Sequence, residues 1–322
     1  MDVRDRVEAT GLLPAGHPVV VLLSGGRDSA CLLDLAVALA GAAEVTALHV
    51  DYGLRGAASA ADARHCERLA ARLGVPVVVE RARRTAGAPG NVQAWARDVR
   101  YAAGVRLAAS SSASLAVGHT LSDQVETILY RLAASPGRRA LLGMEADTEV
   151  VGDAGAPVRL VRPLLAAEVT REETAAWCRS RGLAWRDDAT NVDPAYARSR
   201  ARAGLVPALR AVDPRAERNV VRTAQLLRDE AAVLDAVVRD ALGGGDRLAV
   251  DELAALPPAV GRLVLRRLAE DATRRLCPRA AGRLDDVLAL GEGALDLGDG
   301  ARAIVERGVL RVGRTPVRPE NR

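Results

Sequence analysis

The stretch Val19-Val20-Val21-Leu22-Leu23-Ser24-Gly25-Gly26-Arg27-Asp28-Ser29 decides how this chain folds. Its five leading apolar residues read as a buried strand, and Ala30-Cys31-Leu32-Leu33-Asp34-Leu35 behind it reads as helix. Strand, Gly-rich turn and helix together aim backbone N–H groups and a helix N-terminus at phosphate. Gly25 and Gly26 let the backbone come close to an anion. Ser24 and Ser29 add hydroxyls, and Asp28 adds a carboxylate. The plainer reading is a capped helix start, in which Ser and Asp only satisfy the first free N–H groups. The turn is not a Walker A loop, since that motif needs Lys and this chain has none. It is not a G-x-G-x-x-G dinucleotide fingerprint either.

Working outward, short apolar runs alternate with amphipathic stretches. Residues 19–23, 45–50, 75–79, 115–117 and 158–161 read as strands. Helical patterns fall at about 30–40, 58–73, 91–109, 121–134 and 168–181. This alternation predicts an α/β domain, a Rossmann-like parallel sheet with helices on both faces, over residues 1–212. Nucleotides bind such sheets beyond the carboxyl ends of the strands. The Ser24 turn, Asp51 and His119 each follow a strand, so all three are expected at one edge. Residues 85–90 read as a mobile loop.

From Asp213-Pro214 the pattern changes, and residues 213–322 are expected to form a smaller, mainly helical domain. Residues 215–242 read as one long helix ending at Gly243-Gly244-Gly245, with further helices at about 257–270 and 279–290. Residues 294–312 alternate, with Asp299-Gly300 and Arg307-Gly308 at turn positions, and read as a β-ribbon. Residues after 313 are expected to be disordered.

At 322 residues the length suits two domains. Apolar content of 49% and charged content of 27% are those of a folded, soluble protein. Phe is absent and only 3 Trp and 4 Tyr occur, so Leu, Val and Ala must build the core. All 45 basic residues are Arg, a bias read as GC-rich coding rather than function. The net charge of +4 permits an acidic partner such as RNA without demanding one. Cys31, Cys66, Cys178 and Cys277 lie far apart with no C-x-x-C pair, which argues against a zinc or iron–sulfur site and for a reducing compartment. The charged start carries no signal-peptide pattern, and no apolar run reaches the ~18 residues of a membrane span. A cytoplasmic protein with no membrane partner is expected.

Two further constellations follow strands. His49-Val50-Asp51-Tyr52-Gly53-Leu54-Arg55-Gly56 ends a strand in a carboxylate, then a Gly turn and an Arg. That suits a nucleoside or magnesium, although Asp at a strand end is more often a turn former. Gly118-His119-Thr120-Leu121-Ser122-Asp123-Gln124-Val125-Glu126-Thr127 places His119 just before a helix whose first turn holds Asp123 and Glu126. A capping box and helix-dipole compensation explain Glu126 well. They do not explain an imidazole.

Taken with Ala96-Arg97-Asp98-Val99-Arg100-Tyr101, these motifs resemble the tRNA(Ile)-lysidine synthetases of the PP-loop ATP pyrophosphatase superfamily. Leu142-Gly143-Met144, Arg162-Pro163-Leu164-Leu165, 185–191 and the run from Tyr196 to Arg202 extend the match over about 19–212. The chain has Arg198-Ser199-Arg200 where the family usually has Arg-Asn-Arg, and its loop before Gly143 reads Ser135-Pro136-Gly137-Arg138-Arg139. Longer members carry a further C-terminal domain beyond the point where this sequence ends.

The resemblance implies a ligase that uses ATP and Mg²⁺ to activate the wobble cytidine of a tRNA(Ile) with a CAU anticodon. Free L-lysine then attacks, giving lysidine, AMP and pyrophosphate. It implies that Ser24, Gly25, Gly26, Arg27, Asp28 and Ser29, bordered by Asp51 and Arg55, bind ATP. It makes Asp28, His119 and Asp123 the catalytic candidates, with Asp28 and Asp123 as magnesium ligands. Arg97 and Arg100, three apart on one helix face, and Arg198 and Arg200, which with Arg202 would share a face of an extended segment, become tRNA contacts. Arg262, Arg266, Arg267, Arg274, Arg275, Arg279 and Arg283 form a basic region in the second domain.

Two other readings compete. A cytidine thiolase of the same superfamily needs cysteines to carry sulfur or a cluster, and none is paired here. A non-catalytic nucleotide- or RNA-binding module could keep this fold, because fold alone never proves activity.

Overall fold

The computed structural model describes residues 1–316 apart from 86, 88–89, 135–137, 153–154 and 187–196, and it leaves the Arg198 side chain undescribed. Three expectations therefore lie wholly or partly outside the described residues: the loop at 85–90, the loop at 135–139, and the motif residues of 187–196.

Six strands form the first sheet: β1 (Val19–Leu22), β2 (Val45–Asp51), β3 (Val77–Arg81), β4 (Ser114–Ala116), β5 (Asp147–Val151) and β6 (Pro157–Val161). Their order is β3-β2-β1-β4-β6-β5. Adjacent pairs run parallel except β5, which is antiparallel to β6. All five expected strands are present. The third starts at Val77 rather than Val75, because Pro76 has no N–H to give; its carbonyl instead accepts from Ala47 N at 2.9 Å. The sequence reading holds no strand at β5. Its Asp-Thr-Glu start is polar and it lies at the sheet's edge, exposed at every second residue.

Alternate residues of the central strands feed two cores. Val19, Val21 and Leu23 pack on one face with Leu32, Leu35 and Ala36 of α2 (Arg27–Ala40), Cys66 and Leu69 of α3 (Ala57–Arg72) and Cys178. The short α1 (Val3–Ala9) adds Val7 to this layer. Val20 and Leu22 pack on the other face with Ala103, Val105 and Ala108 of α4 (Val92–Ser110). Burial of such Val and Leu side chains contributes about 1.5–3 kcal/mol each, which compensates for the scarcity of aromatics.

After β4 come α5 (Leu121–Ala134) and the short α6 (Arg138–Leu141). After β6 come the single turn α7 (Pro163–Ala166) and α8 (Arg171–Ser180). A capping box fixes the start of α8: Thr170 Oγ1 accepts from Glu173 N at 3.2 Å, and Glu173 Oε2 accepts from Thr170 N at 2.8 Å. The Arg-rich stretch is helical, as α9 (Ala197–Arg200), a π-helical turn (Ala201–Leu205) and α10 (Val206–Val212), so the face its arginines would share in an extended segment does not form.

The chain divides into two compact units, Met1–Gln225 and Leu226–Arg322. The division lies inside the long helix α11 (Ala216–Leu242) rather than at Asp213-Pro214. The reason is packing: Val221, with Val220 beside it, joins a small core with Leu121, Val125 and Val206. The second unit contains β7 (Arg247–Ala249), α12 (Val250–Ala255), α13 (Pro258–Thr273), α14 (Leu284–Leu288), β8 (Gly293–Gly298), β9 (Ala301–Glu306) and β10 (Val309–Arg314). The expected ribbon is a three-stranded antiparallel meander, joined by β7 in the order β7-β10-β9-β8. It covers α13 through Leu265, Leu268, Leu297, Val305 and Leu310. The last strand runs to Arg314, so the expected disorder after 313 does not begin there; residues 317–322 lie outside those described.

Candidate active site

The turn between β1 and α2 presents free N–H groups. Gly26 is the N-cap of α2, and no side chain bonds to the first helical N–H groups. The capped-helix reading of Ser and Asp therefore does not hold. Ser29 Oγ donates back to Gly26 O at 2.9 Å and lies 3.1 Å from Ser24 Oγ, while Asp28 turns away to Thr174. Gly25 sits at φ +84°, and a Cβ there would meet Cys66 Sγ at 3.2 Å and His65 Cδ2 at 3.3 Å. Glycine is required on both counts. The turn leaves uncapped donors at a helix N-terminus, where an anion is favoured.

Beside this turn lies a cavity of about 530 Å³, lined among others by Ser24, Ser29, Asp51, Arg55, Asp62, Arg100, Gly118 and His119. The candidate residues that follow β1, β2 and β4 thus meet at one edge of the sheet, as the topology demands. Gly118 sits tight against the turn: a Cβ there would lie 3.0 Å from Asp28 O and 3.2 Å from Ser29 N. Asp51 forms the turn, with Oδ1 accepting from Gly53 N at 2.8 Å, and also lines the cavity. Arg55 donates to Asp62 at 2.6 Å. Asp62 also takes Arg186 Nε at 2.5 Å, and Arg186 N donates to Gly25 O at 2.9 Å. Asp62 therefore joins both an arginine at the cavity and a strand of chain that holds the phosphate turn.

His119 is half-buried at the end of the loop after β4. Arg162 Nε donates to its Nδ1 at 3.1 Å, so Nδ1 accepts and the neutral ring carries its proton on Nε2. Burial pushes the His119 pKa down to about 3; Asp123 opposes this, and the Arg162, Arg100 and Arg97 cations add to it. The ring is a hydrogen-bond donor at neutral pH. Arg97 stacks over Tyr101 with its guanidinium carbon 4.7 Å from the ring centroid, and Arg100 lies 5.8 Å from the same ring. Arg100 Nε and Tyr101 Oη are buried without a hydrogen-bond partner among the described residues.

Asp28 and Asp123 face each other across Arg171. Its Nη2 meets Asp123 Oδ1 at 2.5 Å, its Nη1 meets Glu126 Oε1 at 2.6 Å, and its Nε lies 3.6 Å from Asp28 Oδ2. Arg202 completes the chain with 2.7 and 2.9 Å bonds to the two oxygens of Glu126. The cap of α5 belongs to Thr120 and Asp123, not Glu126: Thr120 N and Oγ1 donate to Asp123 Oδ2 at 2.9 and 2.8 Å. Glu126 is instead a buried ion-pair centre. Burial raises the pKa of Asp28, and Asp123 adds to the rise against Thr174, Arg171 and Arg27. Burial also works to raise Asp123, but Arg171 and the Thr120 hydrogen bonds outweigh it and hold Asp123 below the usual carboxylate range. Two neighbouring carboxyls are pushed apart, a pattern that marks functional sites. As for magnesium, the pair expected to hold it already bonds a guanidinium, and among the described residues no cluster of three or more His, Cys, Asp or Glu side chains is arranged to hold a metal ion.

Arg27 lies 3.6 Å from Asp28. Arg200 is exposed on α9. Helical spacing turns Arg202 onto Glu126 and away from the face of Arg200. Sequence reasoning missed Arg162, Arg171 and Thr174 as site residues. The Thr170-x-x-Glu173 capping signature was available; it sets Arg171 as the first residue of α8, beside the turn.

Residues 6–209 match a PP-loop domain family of ATP-binding proteins. A curated tRNA(Ile)-lysidine synthase of Salinispora tropica is 39% identical over 314 residues, covering 92% of this chain and 91% of that protein. A second, of Solibacter usitatus, is 38% identical over 265 residues; this chain spans 57% of its length. The chain belongs to the tRNA(Ile)-lysidine synthase family within the PP-loop proteins. The fold is shared with the U34-tRNA thiolase NcsA of Methanococcus maripaludis, at a TM-score of 0.57 and 18% identity over 70% of this chain and 78% of that one.

Proposed function

We propose that this protein joins free lysine to C2 of the wobble cytidine in a tRNA(Ile) with a CAU anticodon, at the expense of ATP, in the cytoplasm. The observation that carries this reading is the uncapped turn at Gly26 opening on the same cavity as His119. Family membership supplies the acceptor and the amine.

In the first step the C2 carbonyl oxygen attacks the α-phosphorus of ATP and pyrophosphate leaves. Backbone N–H groups at the start of α2, with the Ser24 hydroxyl, take the charge that grows on the departing phosphates, while the Ser29 hydroxyl, which donates to Gly26 O, holds the turn. His119, neutral with its proton on Nε2, donates to a phosphate oxygen and holds the adenylate. In the second step the uncharged ε-amine attacks C2, the C–O bond breaks, and AMP leaves with the former carbonyl oxygen while the nitrogen sheds its proton. Arg97, Arg100, Arg198 and Arg200 guide the phosphates of the anticodon arm. Phosphate contacts of that kind position RNA without reading its sequence. Magnesium arriving with the nucleotide would neutralise charge on the triphosphate, and Asp28, in the first turn of α2, is the carboxylate that would meet it there.

A thiolase reading fares worse. All four cysteines are buried. Burial pushes the thiols of Cys31, Cys66 and Cys178 up, that of Cys66 to about 12, which removes the thiolate that sulfur transfer requires.

The test is pyrophosphate release. It should depend on the tRNA, and Asp28→Asn should lower it by about a hundredfold or more. Release at the wild-type rate in that variant would remove Asp28 from the chemistry. Release without tRNA would point to another acceptor.

A further inference from the structure

Arg171 occupies the space that two converging carboxylates would offer to a metal ion. Its side chain is only 12% exposed, and its three nitrogens reach Asp123, Glu126 and Asp28. The other oxygens are also engaged. Asp123 Oδ2 takes the two Thr120 donors, Asp28 Oδ1 takes Thr174 Oγ1 at 2.5 Å, and Glu126 Oε2 takes Arg202. The planar guanidinium fork is held at the first residue of α8 by the Thr170–Glu173 capping box, so little freedom is lost when it bridges the three acids. A buried carboxylate stripped of its partner is costly. The arginine therefore meets the electrostatic demand that a divalent cation would meet.

We propose that Arg171 is the resident cation of the Asp28–Asp123 pair: it sets both carboxylates in place and shuts free divalent ions out. Magnesium then comes to this edge with the phosphates of the nucleotide instead of waiting on the protein. The exclusion rests on the geometry alone; only the choice of ATP as the carrier rests on the proposed reaction. Arg171 is a positioning residue on this account, since it acts through Asp28 and Asp123.

The experiment titrates the full-length protein with Mn²⁺ in the absence of nucleotide and reads bound ion by electron paramagnetic resonance. The wild type should leave Mn²⁺ free. Arg171→Gln frees the Asp28–Asp123 pair for a hard cation, while Glu126 keeps Arg202, and should bind a single ion at least about tenfold more tightly than wild type. Adding Asp28→Asn to that variant should abolish the gain. Adding α,β-methylene-ATP to the wild type should bring the ion in. Nucleotide-free Mn²⁺ binding by the wild type that Asp28→Asn removes would overturn the proposal, and this arm needs no Arg171 variant to fold. A folded Arg171→Gln protein that gains no ion, or a gain that survives Asp28→Asn, would overturn it as well. None of these signals depends on lysine or RNA, so failure of the lysidine reading would show separately, in the labelling of tRNA.

Discussion

Arg162 Nε donates to His119 Nδ1 at 3.1 Å, and that one bond decides which nitrogen of the ring carries the proton. Arg162 is itself buried and anchored, through Nη1, on the carbonyl of Glu145. The two residues are forty-three positions apart and come from the ends of neighbouring strands, β4 and β6.

Arg162→Met should release this constraint. We expect kcat to fall about tenfold, with a smaller change in the KM for ATP, because a positioned donor acts on the developing charge. Nitrogen chemical shifts of His119 should show a mixture of tautomers in place of one. Unchanged kcat with unchanged shifts would separate Arg162 from the chemistry.

His119 also sets a pH dependence. Its pKa is about 3 in the folded protein and 6.5 in an unperturbed chain. Below pH 6.5 the unfolded chain binds a proton that the folded one refuses, so this group's contribution to stability falls as pH drops from about 6.5 toward about 3. Above that window it adds no slope. His65, lowered chiefly by burial, acts with the same sign. Urea midpoints at pH 7, 6 and 5 should therefore decline less steeply in His119→Asn than in wild type. Parallel declines would contradict the burial of a neutral ring.

Gly118→Ala should damage the phosphate turn. The added methyl meets the backbone of Asp28 and Ser29, which cannot yield as a flexible side chain can. The expected cost is about 1–3 kcal/mol in stability, with weaker ATP binding. Thermal midpoints and nucleotide titrations check this. An alanine variant with wild-type affinity would show that the turn moves freely against β4.

Asp62→Asn should loosen two arginines at once, Arg55 at the cavity and Arg186 over Gly25. Both arginines are well exposed, so the stability change should stay below about 1 kcal/mol. The KM for ATP should rise several-fold while kcat changes less. A large loss of stability with normal KM would make Asp62 a folding residue only.

Much of this site could be read before any coordinates. Gly25 and Gly26 announce a backbone that comes close to an anion, and the apolar periods of β1, β2 and β4 bring Ser24, Asp51 and His119 to one edge. What could not be read is which charges converge across long separations. Arg171 lies 143 residues from Asp28 in sequence, and nothing in the local pattern around it signals a carboxylate partner. Glu126 looked like a cap because its spacing allows one, yet Thr120 and Asp123 form that cap and leave Glu126 to Arg171 and Arg202. The alternation of Arg198, Arg200 and Arg202 puts them on one face only if the segment is extended, whereas burial of Ala201 and Val206 goes with a helical segment. Strand β5 escaped notice because an edge strand need not be apolar.

The most direct measurement incubates the protein with ATP, labelled lysine and a tRNA(Ile) bearing CAU, and scores label in the RNA. The account predicts labelled tRNA together with AMP and pyrophosphate, all lost in Asp28→Asn. Pyrophosphate without label in RNA, or label that enters RNA without ATP, would contradict it.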